Sequence, residues 1–435
     1  MSLVTIGIIG IVIMLALMFL KMPVGVAMIM VGFAGLCCVT GFQPGISSFA
    51  MAAYRAATDY ILTVIPLFIV MGILAAEGGL STDAFYAANK WLGRLSGGLA
   101  MAAVSGCAAF GAVCGDSIAT AITMSQVSLP EMRKYGYNDQ LSLGTLASGG
   151  LLGFMIPPSI PFILYAVLTE ISVGSLFIAG VFPGLLVTLL FMAAIYIVCR
   201  LNPSMGPLGP KISWKEKFGA VYRVWGILLL FILVMGGLYG GFFTPSEAGA
   251  VGAFGALVLS LAKRRLTWKS FTRALSSAGQ LTGMIFLLII GATVFNHFLA
   301  ITEISLHLAS WIGSLTVPSV VIVLAILMMY LVFGCFIDII AVMMITVPIF
   351  FPIIVARGID PVWLGVLIVL MMMIGQITPP VGIAVYAVSG LVKDVPMYTI
   401  FRGVLPFVFA MVIAMIILVI FPEISLILPS YMRPA

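Results

Sequence analysis

Charge is what this chain has least of. Of its 435 residues only 8% are Asp, Glu, Lys or Arg, against roughly a quarter in a soluble domain. Hydrophobic residues make up 63%, and mean hydropathy is +1.27. The shortage excludes a water-soluble globular protein and a disordered chain alike. Histidine is scarce too: His297 and His307 are the only two, so a histidine proton relay or metal site has little to build on. No Gly-x-x-x-x-Gly-Lys-Ser/Thr phosphate loop occurs, which leaves nucleotide-driven transport unsupported. The six cysteines (Cys37, Cys38, Cys107, Cys114, Cys199, Cys335) lie in apolar segments without metal-ligand spacing and read as small hydrophobes. The net charge of +6 sits mostly in short loops, where cations orient a chain in a membrane, so it implies no nucleic-acid partner.

What is present is apolar sequence in blocks. About 20 residues cross a bilayer as a helix, and on that ruler ten spans fall near 3–20, 23–41, 61–79, 140–168, 176–199, 224–243, 245–262, 278–299, 362–391 and 403–421. The blocks lack the ten-residue alternation of an outer-membrane barrel. Two further regions, about 97–132 and 317–353, are too long for one helix and too short for two spans with a loop. Each reads as a re-entrant hairpin that enters and leaves on one side. The segments 47–58, 81–94 and 303–315 are short and mixed, and read as interfacial arms.

Loop charges set the orientation. Arg200, Lys211, Lys215, Lys217 and Arg223 face only Glu216 in 200–223, and Lys263, Arg264, Arg265, Lys269 and Arg273 fill 263–273 without an acid. Both loops are therefore expected in the cytoplasm. Counting crossings then places Lys90, Arg94, Arg133 and Lys134 inside. Glu303, Arg357, Asp360 and both termini fall outside.

The most informative pattern is a repeat with one offset. Asp338 follows Asp116 by 222 residues, and the same spacing pairs Pro23 with Pro245, Ala119 with Ala341, Pro130 with Pro352, Gly136 with Gly358, Gly153 with Gly375, and Pro157-Pro158 with Pro379-Pro380. After one inserted residue, Gly180 pairs with Gly403 and Pro183 with Pro406. Matches of Leu or Ala are cheap in this composition; ordered matches of Asp, Pro and Gly are not. The expected fold is an all-α polytopic membrane protein of two repeats, each with five transmembrane helices plus one re-entrant hairpin. An odd number of crossings per repeat makes the second inverted relative to the first, a signature of secondary transporters. The expected boundaries are 1–200 for the first repeat, 201–223 for a cytoplasmic linker, 224–422 for the second repeat and 423–435 for a C-terminal tail.

A carboxylate at membrane depth costs about 2.5 to 3.5 kcal/mol, so Asp116 and Asp338, each inside a hairpin region, need partners. At a hairpin tip, free backbone groups and small neighbours such as Gly111, Gly115 and Ser117 admit a close ligand. The alternative is structural: each Asp caps the second hairpin helix through its first amides. The two roles are compatible. The second element is the interrupted span, Gly149–Ser159 in one half and Gly375–Gly382 in the other. Consecutive prolines remove helix hydrogen bonds, and Gly153 and Gly375 let the backbone unwind. The freed carbonyls, with the Ser159 or Thr378 hydroxyls, are hard oxygen ligands suited to Na⁺, and a half-helix N-terminus favours an anion. A packing kink accounts equally well for one break, but not for two matched breaks that each follow a matched hairpin. Glu247, three residues after Thr244, reads as part of a helix cap.

Pro157-Pro-Ser-Ile-Pro-Phe-Ile-Leu-Tyr165, Phe243-Thr-Pro-Ser-Glu-Ala248 and Ile377-Thr-Pro-Pro-Val-Gly382 together resemble the large membrane subunit of tripartite ATP-independent periplasmic (TRAP) transporters. The resemblance covers essentially the whole chain. It implies a multi-pass protein of a bacterial or archaeal inner membrane that imports organic acids with Na⁺ by an elevator movement, without an organic cofactor. It also implies a small four-helix membrane subunit and a soluble substrate-binding protein as partners. By the same resemblance, Gly115, Asp116 and Ser117 with Gly153, Pro157, Pro158 and Ser159 would form one Na⁺ site. Gly334 and Asp338 with Gly375, Thr378, Pro379 and Pro380 would form the other, the two flanking the substrate. Many relatives have a serine-rich tip where this chain has Cys114-Gly115-Asp116-Ser117, which favours backbone ligation around Asp116 over its side chain.

Two other classes compete. An intramembrane aspartyl protease would use two membrane-depth Asp residues as an acid/base dyad, but such enzymes carry Tyr-Asp and Gly-x-Gly-Asp, where this chain has Ile337-Asp338 and Cys114-Gly115-Asp116. A channel predicts a charge ring or filter-like repeat, and neither is present. The transported acid is not legible: C4-dicarboxylates, sialic acid and other sugar or keto acids all remain open, since no arginine lies in either tip or break.

Overall fold

A computed structural model describes residues 2–20, 22–209, 212–304, 307, 310 and 317–431, and every regular element among them is helical. The first half runs α1 (Leu3–Phe19), α2 (Val24–Thr40), α3 (Phe42–Thr58), α4 (Val64–Glu77), α5 (Leu80–Leu92), α6 (Gly98–Cys114), α7 (Ser117–Lys134), α8 (Asp139–Gly150), α9 (Leu152–Met155), α10 (Ile160–Thr169) and α11 (Val173–Leu201). The second runs α12 (Trp214–Phe231), continued by a π turn at Ile232–Gly236 into α13 (Gly237–Tyr239), then α14 (Pro245–Ala262), α15 (Trp268–Ile301), α16 (Ser319–Gly334), α17 (Ile339–Ala356), α18 (Pro361–Ile377), α19 (Ile383–Ser389), α20 (Met397–Ile420) and α21 (Glu423–Ser430).

Element boundaries follow the 222-residue offset. α7 and α17 start and stop at equivalent positions, and α2 and α14, α6 and α16, α10 and α19, and α11 and α20 coincide to within a few residues. Packing partners exchange in the same way. α2 packs on α15 while α14 packs on α4, α8 on α20 while α18 packs on α11, and α7 on α19 while α17 packs on α10. Both hairpin regions are helix pairs that turn within four residues, α6–α7 at Gly115-Asp116 and α16–α17 at Cys335–Asp338.

Local chemistry explains the departures from the sequence reading. The expected loop 263–273 and span 278–299 are largely one helix, α15, of 34 residues. Thr267 and Ser270 cap each other's backbone at its start, and nothing resembling Asp59 interrupts it. In the first half Asp59 accepts from Ile61 N at 2.9 Å and caps a short 3₁₀ turn, Tyr60–Thr63, which separates arm α3 from span α4. At 1.5 Å per residue α15 is about 51 Å long, longer than a bilayer core, so its basic first turns project beyond it. The expected linker 201–223 becomes helical at Trp214, where Ser213 accepts from Glu216 N. The expected tail 423–435 contains α21, packed on α11 and α18. Most of the arm 303–315, Lys211 and 432–435 lie outside the described residues. Glu247 does cap: its carboxylate accepts from Thr244 N at 2.8 Å, and Thr244 Oγ1 accepts from Glu247 N.

Contacts between loops fit the crossing count. On the expected inner face Lys90 pairs with Glu216 at 2.9 Å, Lys263 with Asp83 at 2.5 Å, and Arg133 with Asp139 at 2.9 Å and Asp394 at 3.0 Å. Tyr137 Oη there accepts from Leu99 N and donates to Pro207 O. On the expected outer face Tyr165 Oη donates to Pro361 O at 2.9 Å. No ion pair among the described residues joins loops expected on opposite sides.

Sidedness is directly testable by cysteine labelling in a background with the exposed Cys38 replaced. A cysteine at Glu216 is expected to react with an impermeant maleimide only in inside-out vesicles, and one at Gly358 only from outside. The opposite labelling pattern would reverse the topology.

Candidate functional site

Each hairpin tip meets the break that follows it in sequence. In the first half α6 ends at Gly115, whose φ of +69° is a left-handed conformation that glycine adopts without strain. Its carbonyl accepts from Ile160 N at 3.2 Å, the first helical residue beyond the break. A Cβ on Gly115 would lie 2.8 Å from Pro158 O, one on Gly111 would lie 2.8 Å from Gly153 Cα, and one on Gly153 would lie 2.7 Å from Asp116 O. Gly111, Gly115 and Gly153 therefore permit backbone-to-backbone contact between tip and break. In the second half Gly375 lies against Gly334, where a Cβ would come within 2.8 Å of Gly334 Cα.

Both aspartates cap. Asp116 Oδ1 accepts from Ala119 N at 2.6 Å, and Asp338 Oδ1 accepts from Ile340 N at 3.0 Å. The structural role weighed from the sequence is thus present in both halves. Each aspartate remains half-buried. Thr120 Oγ1 donates to Asp116 O at 2.6 Å, fastening the first turn of α7.

The breaks carry a hydroxyl each, used alike. Ser159 Oγ donates to Phe154 O at 2.5 Å, and Thr378 Oγ1 donates to Ile374 O at 2.6 Å. A hydroxyl that gives its proton to a carbonyl keeps oxygen lone pairs for a cation. Both Pro-Pro bonds, Pro157-Pro158 and Pro379-Pro380, are cis. The halves differ in exposure: Pro157 and Pro158 are buried, whereas Pro379 and Pro380 are exposed, as is Phe336 at the second tip. The described contacts bring Gly115 and Asp116 together with Gly153, Pro158 and Ser159, and Ser117 follows directly at the start of α7. They join Gly334 to Gly375, but no hydrogen bond links Asp338 to Thr378, Pro379 or Pro380.

Two polar groups supply a test of fit for a bound ion. Ser117 Oγ, 1% exposed, has no hydrogen-bond partner, and neither amide atom of the fully buried Gln376 has one. Leaving such a group unpaired costs about 1 to 3 kcal/mol, so a ligand or ordered water at these places is favoured. Gln376 escaped the sequence reading because the residue 222 positions earlier is Phe154. The signal was a lone amide in the otherwise apolar run Val362–Ile377.

Paired hairpins abutting paired broken helices, all in an apolar helical bundle, define the class as a secondary transporter. The particular family follows from comparison. Residues 11–424 match the family described as "Tripartite ATP-independent periplasmic transporter, DctM component", and the chain belongs to it. It is 36% identical over 404 residues to the C4-dicarboxylate TRAP transporter large permease protein DctM of Pseudomonas aeruginosa, covering 92% of this chain and 94% of that one. It is 33% identical over 417 residues to the sialic acid TRAP transporter large permease protein SiaM of Vibrio cholerae, covering 96% of each. The YdaH transporter of Alcanivorax borkumensis shares the fold at a TM-score of 0.66 and 15% identity, over 89% of this chain and 90% of that one. The chain is accordingly a multi-pass inner-membrane transporter component, and the protease reading falls.

The glycine contacts make a specific prediction. Gly153→Ala or Gly375→Ala is expected to destabilise the protein by about 1 to 3 kcal/mol, seen as a lowered unfolding temperature, with loss of transport. Gly279→Ala, where nothing lies within 4 Å, is the control. Unchanged melting and transport in both site variants would refute the close tip-to-break contact.

Proposed function

We propose that this chain is the large subunit of a sodium-coupled importer of organic anions, in which each tip-and-break pair holds a coupling cation and the substrate binds between them. The observation that carries the reading is that, of the buried side chains with unpartnered polar atoms, which also include Ser125, Thr145, Ser148, Asn296 and Ser425, Ser117 adjoins the first tip and Gln376 the second break. Carbonyls around Gly115 and Gly153, with the Ser159 hydroxyl, are hard oxygen donors of the kind Na⁺ takes, and the Asp116 and Asp338 charges offset a cation nearby. Asp116 and Asp338 act through their caps and their charge more than as direct ligands. Each net positive charge entering gains roughly 2.3 kcal/mol per 100 mV, so the potential contributes only when the Na⁺ ions outnumber the substrate's negative charges, and the Na⁺ concentration gradient supplies the rest.

The exchange of packing partners between halves supports two inverted repeats that trade conformations in an elevator movement. The difference in exposure between the first and second breaks is what one end state of such a cycle would display. The family is tripartite by name, so a small membrane subunit and a soluble binding protein complete the transporter. The binding protein sets much of the selectivity, and substrates such as C4-dicarboxylates or sialic acid, after which the compared relatives are named, are the first to try.

Proteoliposomes holding the complete transporter and its binding protein should take up substrate only under an inward Na⁺ gradient. Asp116→Asn and Asp338→Asn, which preserve the caps but remove the charge, should keep uptake Na⁺-dependent while raising the half-saturating Na⁺ concentration. Gln376→Leu should raise the half-saturating concentration of Na⁺ or substrate by about tenfold or more, the scale of a hydrogen bond to a charged group. Uptake that ignores the Na⁺ gradient would refute the coupling.

A further inference from the structure

A cavity of about 290 Å³ opens on the expected cytoplasmic face, far in sequence from both tips, lined by Asp83, Tyr222, Arg223, Trp225, Lys263 and Arg265. Three cations share it with one acid. Asp83, 4% exposed, is already engaged by Lys263 Nζ at 2.5 Å and by Arg265 at 3.5 Å. Arg265 also donates to Gly79 O at 3.0 Å. Arg223 has no carboxylate partner among the described residues; its guanidinium lies 4.2 Å from the centre of the Tyr86 ring. The cavity therefore keeps a surplus of two positive charges. Tyr222, 78% exposed, and Trp225, 42% exposed, stand at its rim, with Trp91, Trp214 and Phe218 packed edge-to-face and stacked nearby along α5 and α12.

We propose that this cavity binds the phosphate of an anionic phospholipid headgroup from the cytoplasmic leaflet. Positive charge alone would suit any phosphate. The aromatic rim selects the lipid, because Trp and Tyr settle at headgroup depth while a free anion gains nothing from them, and basic pockets between helices on this side attract anionic headgroups. The elements that line the cavity give the site a consequence. Asp83 belongs to α5, which leads into hairpin α6–α7, whereas Arg223 and Lys263 belong to α12 and the end of α14. A headgroup seated here ties the hairpin's arm to those helices.

The test uses the full-length chain in lipid nanodiscs, with quenching of Trp225 by dibrominated phosphatidylglycerol compared with dibrominated phosphatidylcholine. The Trp225→Phe variant identifies that residue's share of the signal. A lysine or arginine near an anionic surface contributes a factor of about five, so a surplus of two predicts about 25-fold preferential quenching by the anionic lipid. Arg223→Gln should cut that preference about fivefold, the Arg223→Gln/Arg265→Gln pair should abolish it, and Arg223→Lys should keep it. Equal quenching by the two lipids would overturn the proposal, as would a preference intact in both Gln variants. Inorganic phosphate relieving the quenching at concentrations that leave Arg223→Gln unaffected would assign the site to a free anion instead, and would overturn it equally.

Discussion

In a bilayer there is no water to satisfy a backbone amide or carbonyl, so irregular chain at membrane depth must be buried in protein or line a cavity. This protein has two hairpin tips and two broken helices within its apolar bundle, and it meets the constraint by setting each tip against the following break. The hydrogen bond from Ile160 to the Gly115 carbonyl closes one such contact, the Ser159 hydroxyl takes up the Phe154 carbonyl that Pro158 cannot serve, and the Thr378 hydroxyl takes up the Ile374 carbonyl at the end of α18. The glycines at 111, 115, 153 and 375 follow from that arrangement, since a side chain at these positions would hold the two backbones apart. Ser117 Oγ, at the start of α7, is left without a hydrogen-bond partner, a cost of about 1 to 3 kcal/mol that a bound ligand or water there would remove.

The same constraint explains why the repeat is so plain in Asp, Pro and Gly and so faint elsewhere. Lipid-facing and core positions accept any apolar residue of suitable size, so 222-residue matches of Leu or Val carry little. Caps, breaks and close approaches each admit only one or two residue types, and these are what survive. The two halves nonetheless differ where the offset predicts sameness. Asp59 separates arm from span in the first half and has no counterpart in the second, so α15 runs unbroken. The first break is buried while the second is open.

Much of the fold was legible because membrane helices are long, apolar and interrupted by conspicuous residues. Both hairpins, both breaks and the paired aspartates were read from residue type and spacing, and the loop charges assigned faces that the ion pairs respect. Helix ends were less legible. The starts of α12 and α15 depend on Ser213 and Thr267 caps inside basic segments that read as loops, and α21 is short and sits where a tail was expected. Gln376 was hidden because it does not repeat. The caps made by the two aspartates were not separable from ligation in the sequence, since both place the same residue at the same helix start.

The central claim, that the paired tips and breaks hold the coupling ions, is tested most directly by comparing maps of the complete transporter in sodium and in choline. The account predicts sodium-dependent density bounded by Gly115, Ser117 and Ser159 in the first half and by Gly334, Gln376 and Thr378 in the second. Maps that agree at both places, or sodium-dependent density found only elsewhere in the molecule, would contradict it.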